Sequence, residues 1–378
     1  MDHAKQTACD LLYRPKDPAY GEKIRKFQGC PTVAVTPKGR IYLGWYSGGI
    51  CEPHMENYNL LVYSDDRGET WSEPLLVIPS SKERFVHALD IQLWTDPQGR
   101  LHVYWVQNNT EPAPLPTSAS VNPKRPWNPM PPKKAGQPLV AVDGYLFSDF
   151  RHACWETVSE DPDSDAPHFS EPRFLDTGFL RCKPLVLANG TWLNFNYDQI
   201  EDRYGYSVSK DGGKTYRHCY GPKKLSTEFD EGMAYQRKDG SVRFLARTSI
   251  GELAECFSYD GGESFSEARL SGIDSPNTRF FVSRTPSGRI LLVNNDHREK
   301  RTNMTVYLSE DEGETWKYKA CIDTREWISY PDVDFAGDTV YLTYDCDRMG
   351  EKEILFVAFR EGDVISGAVP SPRVISKP

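Results

Sequence analysis

No segment of this 378-residue chain stays apolar for the length that a bilayer crossing needs, so a helical membrane protein is excluded. The opening stretch, MDHAKQTACDLLYRPKDPAYG, has neither the apolar core nor the small-residue cleavage site of a secretion signal. Basic charge is in deficit. The 45 Lys and Arg against 54 Asp and Glu leave a formal net charge of −9, which argues against nucleic acid or an anionic membrane as partner. Long amphipathic helical patterns are missing too, which disfavours α-helical architectures. The nine cysteines are odd in number, irregularly spaced and without a CxxC pair, so reduced, mostly buried thiols and a cytoplasmic location are expected rather than a disulfide framework. No His, Cys and carboxylate cluster has metal-ligand spacing, so neither a catalytic metal nor a cofactor is expected.

What the chain does have is repetition. Ser64-x-Asp66-x-Gly68-x-Thr70-Trp71 returns as Ser209-x-Asp211-x-Gly213-x-Thr215-Tyr216, as Ser258-x-Asp260-x-Gly262-x-Ser264-Phe265 and as Ser309-x-Asp311-x-Gly313-x-Thr315-Trp316. Each copy follows a β-rich run and ends on an aromatic, as a hairpin does. The Ser and Asp side chains can bind turn N–H groups and the Gly accepts positive φ, so these are structural turns rather than substrate contacts. The box aspartates lie 145, 49 and 51 residues apart, a period near fifty with one box decayed in the first gap. Its remnant is Ser159-Glu160-Asp161 with Phe169-Ser170-Glu171-Pro172. Such a period, with several short strands in each repeat, is the signature of propeller blades.

A second repeat counts the blades. Turns of the form polar-Gly-polar, flanked by alternating apolar residues, fall at Lys38-Gly39-Arg40, Gln98-Gly99-Arg100, Asn189-Gly190-Thr191, Asp239-Gly240-Ser241, Ser287-Gly288-Arg289 and Ala336-Gly337-Asp338. The expected fold is therefore all-β, a six-bladed β-propeller of four-stranded antiparallel blades forming one domain over 1–378. Blades are expected near 29–80, 85–177, 180–226, 228–274, 276–325 and 328–378. Blade two carries a Pro-rich insertion at about 108–140 that cannot pair as strands. It reads either as a lid or contact arm, with Trp127 meeting a ligand or partner, or as a flexible loop. Either Leu11–Tyr13 or Arg373–Ser376 could complete the last blade.

Topology points to chemistry, because the residues that open each blade's first strand converge on one face. Those six entrances carry Lys26 to Pro31, His87 with Asp90, Arg181 with Lys183, Glu228 with Asp230 and Glu231, Arg279, and Tyr330 with Asp332. A rim of mixed cations, carboxylates and phenol suits an anionic or polyhydroxy ligand.

With these boxes on a six-bladed ring, the chain resembles the sialidase (neuraminidase) superfamily over nearly its whole length. The resemblance implies a Tyr nucleophile paired with a Glu, a general-acid Asp, and three Arg that clamp the substrate carboxylate. Tyr330, in Trp327-Ile328-Ser329-Tyr330-Pro331-Asp332, resembles the nucleophile, and Glu231 in DEGMAYQRKDG its partner. Arg247 and Arg301 match the second and third clamp positions. The first fails, since Gly29-Cys30-Pro31 stands where the family carries Arg-Ile-Pro, and Arg25 and Lys26 are out of register. At the place of the acidic Asp the chain reads Glu52-Pro53-His54-Met55-Glu56, leaving Glu52, His54 or Glu56 as the acid, with Glu52 and His54 ahead.

The implied activity is an exo-acting retaining glycoside hydrolase that releases a terminal acidic sugar from an oligosaccharide or glycoconjugate. Tyr330, Glu231, Glu52 and His54 would be catalytic. Arg247, Arg301, Arg279, Arg181, Lys183, His87 and Asp332 would bind substrate. Two alternatives stay open: a lyase or glycosidase of other specificity using His54 or His87 with Tyr330, and a non-catalytic carbohydrate-binding propeller. A homo-oligomer is also left open.

Overall fold

Five of the six polar-Gly-polar turns close in the same way. In the first, Thr36 N–H donates to the Arg40 carbonyl at 2.9 Å and Gly39 takes φ +93°, and the turns at Gly99, Gly190, Gly240 and Gly288 repeat this. The sixth, at Gly337, is a tighter turn between Ala336 and Thr339. Each turn joins the two inner strands of a blade. In the computed structural model, which describes residues 8–112, 140–147, 152–197, 201–227 and 229–378, six antiparallel blades of this kind form a propeller.

Blade one shows the plan. Strands Phe27–Val35, Ile41–Gly48, Asn57–Ser64 and Leu76–Pro79 run outward from the axis. The two inner strands are buried along their whole length, because a neighbouring blade covers each face. Outermost strands such as Arg269–Asp274 of blade four are largely exposed. Arg373–Ser376 completes blade six, while Leu12–Tyr13 adds a fifth strand outside blade one by pairing with Leu76 and Val77. Both terminal segments are therefore used, on different blades.

The innermost strand of blade one has no strand partner on its axial side, so its N–H groups need other acceptors. Carboxylates of blade six supply them. Val33 N–H donates to Asp332 Oδ2 at 2.9 Å, Val35 N–H to Asp334 Oδ2 at 2.8 Å, and Cys30 N–H to Asp345 Oδ2 at 2.7 Å.

The boxes behave as turns. In the first, Ser64 Oγ accepts from Gly68 N–H at 2.8 Å, and Asp66 accepts from Thr70 N–H at 2.9 Å and Thr70 Oγ1 at 2.6 Å. The same bonds recur at Asp211, Asp260 and Asp311. The decayed copy keeps part of the set, with His168 N–H on Asp161 Oδ1 at 2.9 Å and Val158 N–H on Ser170 Oγ at 3.1 Å. Boxes also latch neighbours together. Tyr235 Oη and Arg243 Nη1 of blade four donate to the Glu312 and Gly313 carbonyls of the blade-five box, at 2.9 and 2.8 Å. Lying after each third strand, they occupy the face opposite the first-strand entrances.

The ends of the insertion do pair, against expectation. Glu111–Pro112 and Val140–Val142 both bond to Tyr145–Phe147 in a small antiparallel sheet at its base. The segment between, including Trp127, lies outside the described residues, as does Glu228. All nine cysteines are free, and only Cys321 is exposed. Among the described residues, no helix is long and apolar enough to cross a membrane.

Candidate active site

Three first strands break their register at the same place. The pairing shifts between Gly29 and Thr32 in blade one, between Leu89 and Gln92 in blade two, and between Ser329 and Asp332 in blade six. Each bulge puts a non-glycine residue in the left-handed region: Cys30 at φ +55°, Asp90 at +53° and Tyr330 at +56°. Left-handed backbone costs a side-chain-bearing residue on the order of 1–3 kcal/mol, and bulges re-aim side chains beside functional sites. Here three adjacent blades bear that cost near the open ends of their first strands.

Tyr330 is ringed by guanidinium groups. Arg247 Nη1 donates to its Oη at 3.2 Å, and the Cζ atoms of Arg348, Arg181 and Arg301 lie 4.0, 5.4 and 5.8 Å from its ring centroid. Burial, with the nearby Glu231 charge, pushes the phenol up to about 12 despite Arg247 and Arg348. It is therefore protonated near neutrality and needs a base. Glu231 Oε2 accepts from the same Arg247 Nη1 at 2.7 Å, and Arg181 Nε stands 3.7 Å from Oε1. Burial alone would raise the Glu231 carboxyl, but Arg247, Arg181 and Arg279 outweigh it and hold it below the usual range. The phenol and the carboxylate are thus bridged through one nitrogen rather than paired directly.

Arg247 and Arg301 share an anchor. Arg247 Nε donates to Asn277 Oδ1 at 2.7 Å, while its Nη2 and Arg301 Nη2 both donate to the Asn277 carbonyl at 3.0 Å. Burial, together with Arg247 and Arg348, pushes the Arg301 guanidinium down to about 10. Asn277 and Arg348 were missed in the sequence. Arg348 follows the second strand of blade six, as Arg247 and Arg301 follow those of blades four and five, and that shared position was the available signal.

Glu52 lies on the loop after the second strand of blade one, with Oε2 3.3 Å from Arg348 Nη1. Its carboxyl, the Asp90 carboxyl and the Cys30 thiol stand within 4.8 Å of one another. Burial first, then the Asp90 charge, pushes Glu52 up to about 7, against Arg348 and Arg181. These three groups are the nearest to a cation site among the described residues. Arg348 beside Glu52 and Arg181, 3.7 Å from Asp90, already place positive charge there.

Other expected rim residues lie elsewhere. His87 is fully buried, with Nε2 2.8 Å from Tyr46 Oη and Nδ1 3.0 Å from Asn108 Oδ1. Burial, with His54 adding, pushes it down to about 3, so it is a neutral core residue. His54 accepts Glu56 N–H on Nδ1 at 3.1 Å and turns Nε2 to Asp143 at 2.8 Å, which ties the loop of Glu52 to the 140–147 hairpin. Lys183, Arg279 and Asp332 form a hub on the axis. Asp332 accepts from Lys183 Nζ, Arg279 Nη2 and Thr32 Oγ1 at 2.8, 2.8 and 2.7 Å, and this mutual pairing spends the charges expected to meet substrate. Arg181, 2% exposed, sits behind Tyr330 as a bracket between Asp90 and Glu231. A separate cavity of about 730 Å³, lined by Arg84, Trp155 and His168 among others, lies against the amino-terminal segment and away from Tyr330.

The BNR repeat-like domain matches residues 110–342, and the BNR/Asp-box repeat matches 62–73. The chain belongs to the BNR repeat-like family. Its six-bladed propeller and its boxes give it a sialidase-like fold. No curated protein sequence matches it. Among solved structures it is similar to the leech intramolecular trans-sialidase complexed with 2,7-anhydro-Neu5Ac, with a TM-score of 0.69, 16% identity, and 95% of this chain and 71% of that one covered. The intramolecular trans-sialidase from Ruminococcus gnavus, in complex with oseltamivir carboxylate, gives a TM-score of 0.67 at 15% identity, covering 94% and 98%. NanB sialidase from Streptococcus pneumoniae gives 0.67 at 15%, covering 95% and 71%. At these identities the likeness shows the fold, and chemistry must be argued from the side chains of this BNR-family chain.

Proposed function

We propose that this protein is an exo-acting, sialidase-like glycoside hydrolase that releases a terminal acidic sugar with retention of configuration. The observation that carries this reading is the Tyr330–Arg247–Glu231 bridge, set among further largely buried arginines. A neutral phenol suits an anionic sugar, whose charge would repel a carboxylate nucleophile. Tyr330 Oη attacks the anomeric carbon while its proton passes to Glu231. Glu52 protonates the departing glycosidic oxygen, and its raised range fits an acid held protonated near neutrality. Water, deprotonated by Glu52, then displaces Tyr330, whose oxygen takes its proton back from Glu231. Substrate bound by Arg247 draws that guanidinium off Glu231 and frees the carboxylate to act. The buried, neutral His87 removes one of the two histidines on which the lyase alternative rested, and the other, His54, is tied to Asp143 and Glu56. A panel of aryl glycosides carrying sialic, glucuronic, rhamnosyl and fucosyl groups, with the product anomer followed by NMR, tests the reading. Near-wild-type turnover by Tyr330→Phe on the substrate found would remove the phenol from the chemistry, and calorimetric binding with no product would make the protein a lectin.

A further inference from the structure

We propose that Arg348 is the third guanidinium of an anion clamp, shifted by one blade round the ring into space that Gly29 leaves open, and that the clamp takes the carboxylate of a terminal sugar. Only the identification of the ligand as a sugar rests on the glycosidase reading.

A side chain at position 29 and Arg348 in its present position compete for one space. A Cβ built on Gly29 would stand 2.6 Å from Cγ and Cδ of Arg348, so the absent side chain of blade one is what admits the arginine of blade six. The guanidinium is held from two sides. Its Nε donates to Asp345 Oδ2 at 2.9 Å and its Nη1 to Glu52 at 3.3 Å. Asp345 is itself fixed by Ser329 Oγ at 2.6 Å and by Cys30 N–H, so the arginine is preorganised on a fully buried support. Its remaining nitrogen, Nη2, is buried with no partner, as are two nitrogens each of Arg181 and Arg279, and on Arg348 it is the donor left for a ligand.

The neighbouring cations need the same ligand. Arg301 Nη1 reaches only Ser329 Oγ, at 3.5 Å, and Arg247, Arg301 and Arg348 gather round one tyrosine ring. All three leave the second strands of consecutive blades, four, five and six, so they approach from one arc of the cavity. A carboxylate fits the planar fork that such groups present.

The test is calorimetry on the full chain with two probe pairs, N-acetylneuraminic acid against its methyl ester and D-glucuronic acid against its methyl ester. Wild type is expected to bind at least one free acid about tenfold tighter than its ester, the scale of one charge-assisted hydrogen bond. Arg348→Ala should abolish that preference. Gly29 lies outside the left-handed region, so the double variant Gly29→Arg with Arg348→Ala should regain it by restoring an arginine from blade one. The proposal is overturned if wild type prefers neither acid, or if Arg348→Ala keeps the full preference with an unchanged melting curve. Should the alanine variant not fold, Arg348→Lys decides: it keeps the charge facing Asp345 and Glu52 but loses the fork, and an undiminished preference in it also overturns the proposal. Tyr330→Phe separates the two readings. Unaffected turnover in it, with acid preference still lost in Arg348→Ala, would remove the hydrolase mechanism and support the clamp.

Discussion

Arg348 lays its guanidinium 4.0 Å from the centroid of the Tyr330 ring, and both residues come from the open end of one hairpin, Ile328–Ala336 with Thr339–Cys346. The contact fixes the ring between a cation and the strained backbone that carries it. A phenol so held suits the nucleophile role proposed for it, which needs a single line of attack.

Glu231→Gln tests the base. The amide keeps the shape of the side chain but cannot take the phenol proton, so kcat should fall by about a hundredfold or more on whichever aryl glycoside is turned over. Single-turnover rates beside an unchanged circular dichroism spectrum would check this.

The pH dependence turns on Glu52. As an acid pushed up to about 7, it is lost to ionisation as pH rises through that value, so kcat/KM should decline on the alkaline side of about 7. Glu52→Gln should remove that limb while retaining some activity on a good aryl leaving group. Stability follows the same sign. Between the ordinary 4.5 of the unfolded chain and about 7 the native state holds the extra proton, so this group's contribution is present below 4.5 and lost as pH rises through about 7. Melting temperatures of wild type and Glu52→Gln at about pH 5 and about pH 8 should converge at the acid end and separate at the alkaline end, with the variant the higher there.

Asp332→Asn should be the most damaging change on the axis. It strips the carboxylate shared by Lys183 and Arg279, and breaking a buried ion pair costs about 3–5 kcal/mol. Urea unfolding would measure it.

Asp311→Ala should cost about 1–2 kcal/mol, because two donors of Thr315 lose their acceptor, while kcat/KM is unchanged on the opposite face. Gly313→Ala should cost more. Its φ is +82° and the added methyl would run into Tyr235 Oη of the preceding blade.

The propeller was legible because its turns repeat. Serine, aspartate and glycine at fixed offsets do local work that survives in sequence, so both the blade count and the decayed copy at Asp161 could be read. Tyr330, Glu231, Arg247 and Arg301 were legible through the resemblance and lie together. The entrances of the first strands misled for another reason. A residue there can turn outward to the cavity or inward to the axis, and sequence does not say which. Lys183, Arg279 and Asp332 turn inward and neutralise one another, and His87 packs against Tyr46. Arg348 shares with Arg247 and Arg301 a position after a second strand, but its approach to Tyr330 also depends on an absence, the side chain missing at Gly29 more than three hundred residues earlier in the chain.

Every blade is drawn from one uninterrupted stretch of chain, so no strand is exchanged to seal the circle. The seam between the first and last blades is fastened by carboxylates gripping backbone amides, and two of those carboxylates, Asp332 and Asp345, also brace the axis hub and Arg348. A loosened seam would therefore misalign the cavity before it unravelled the disc, and loss of catalytic competence should precede loss of β-structure when the protein is stressed.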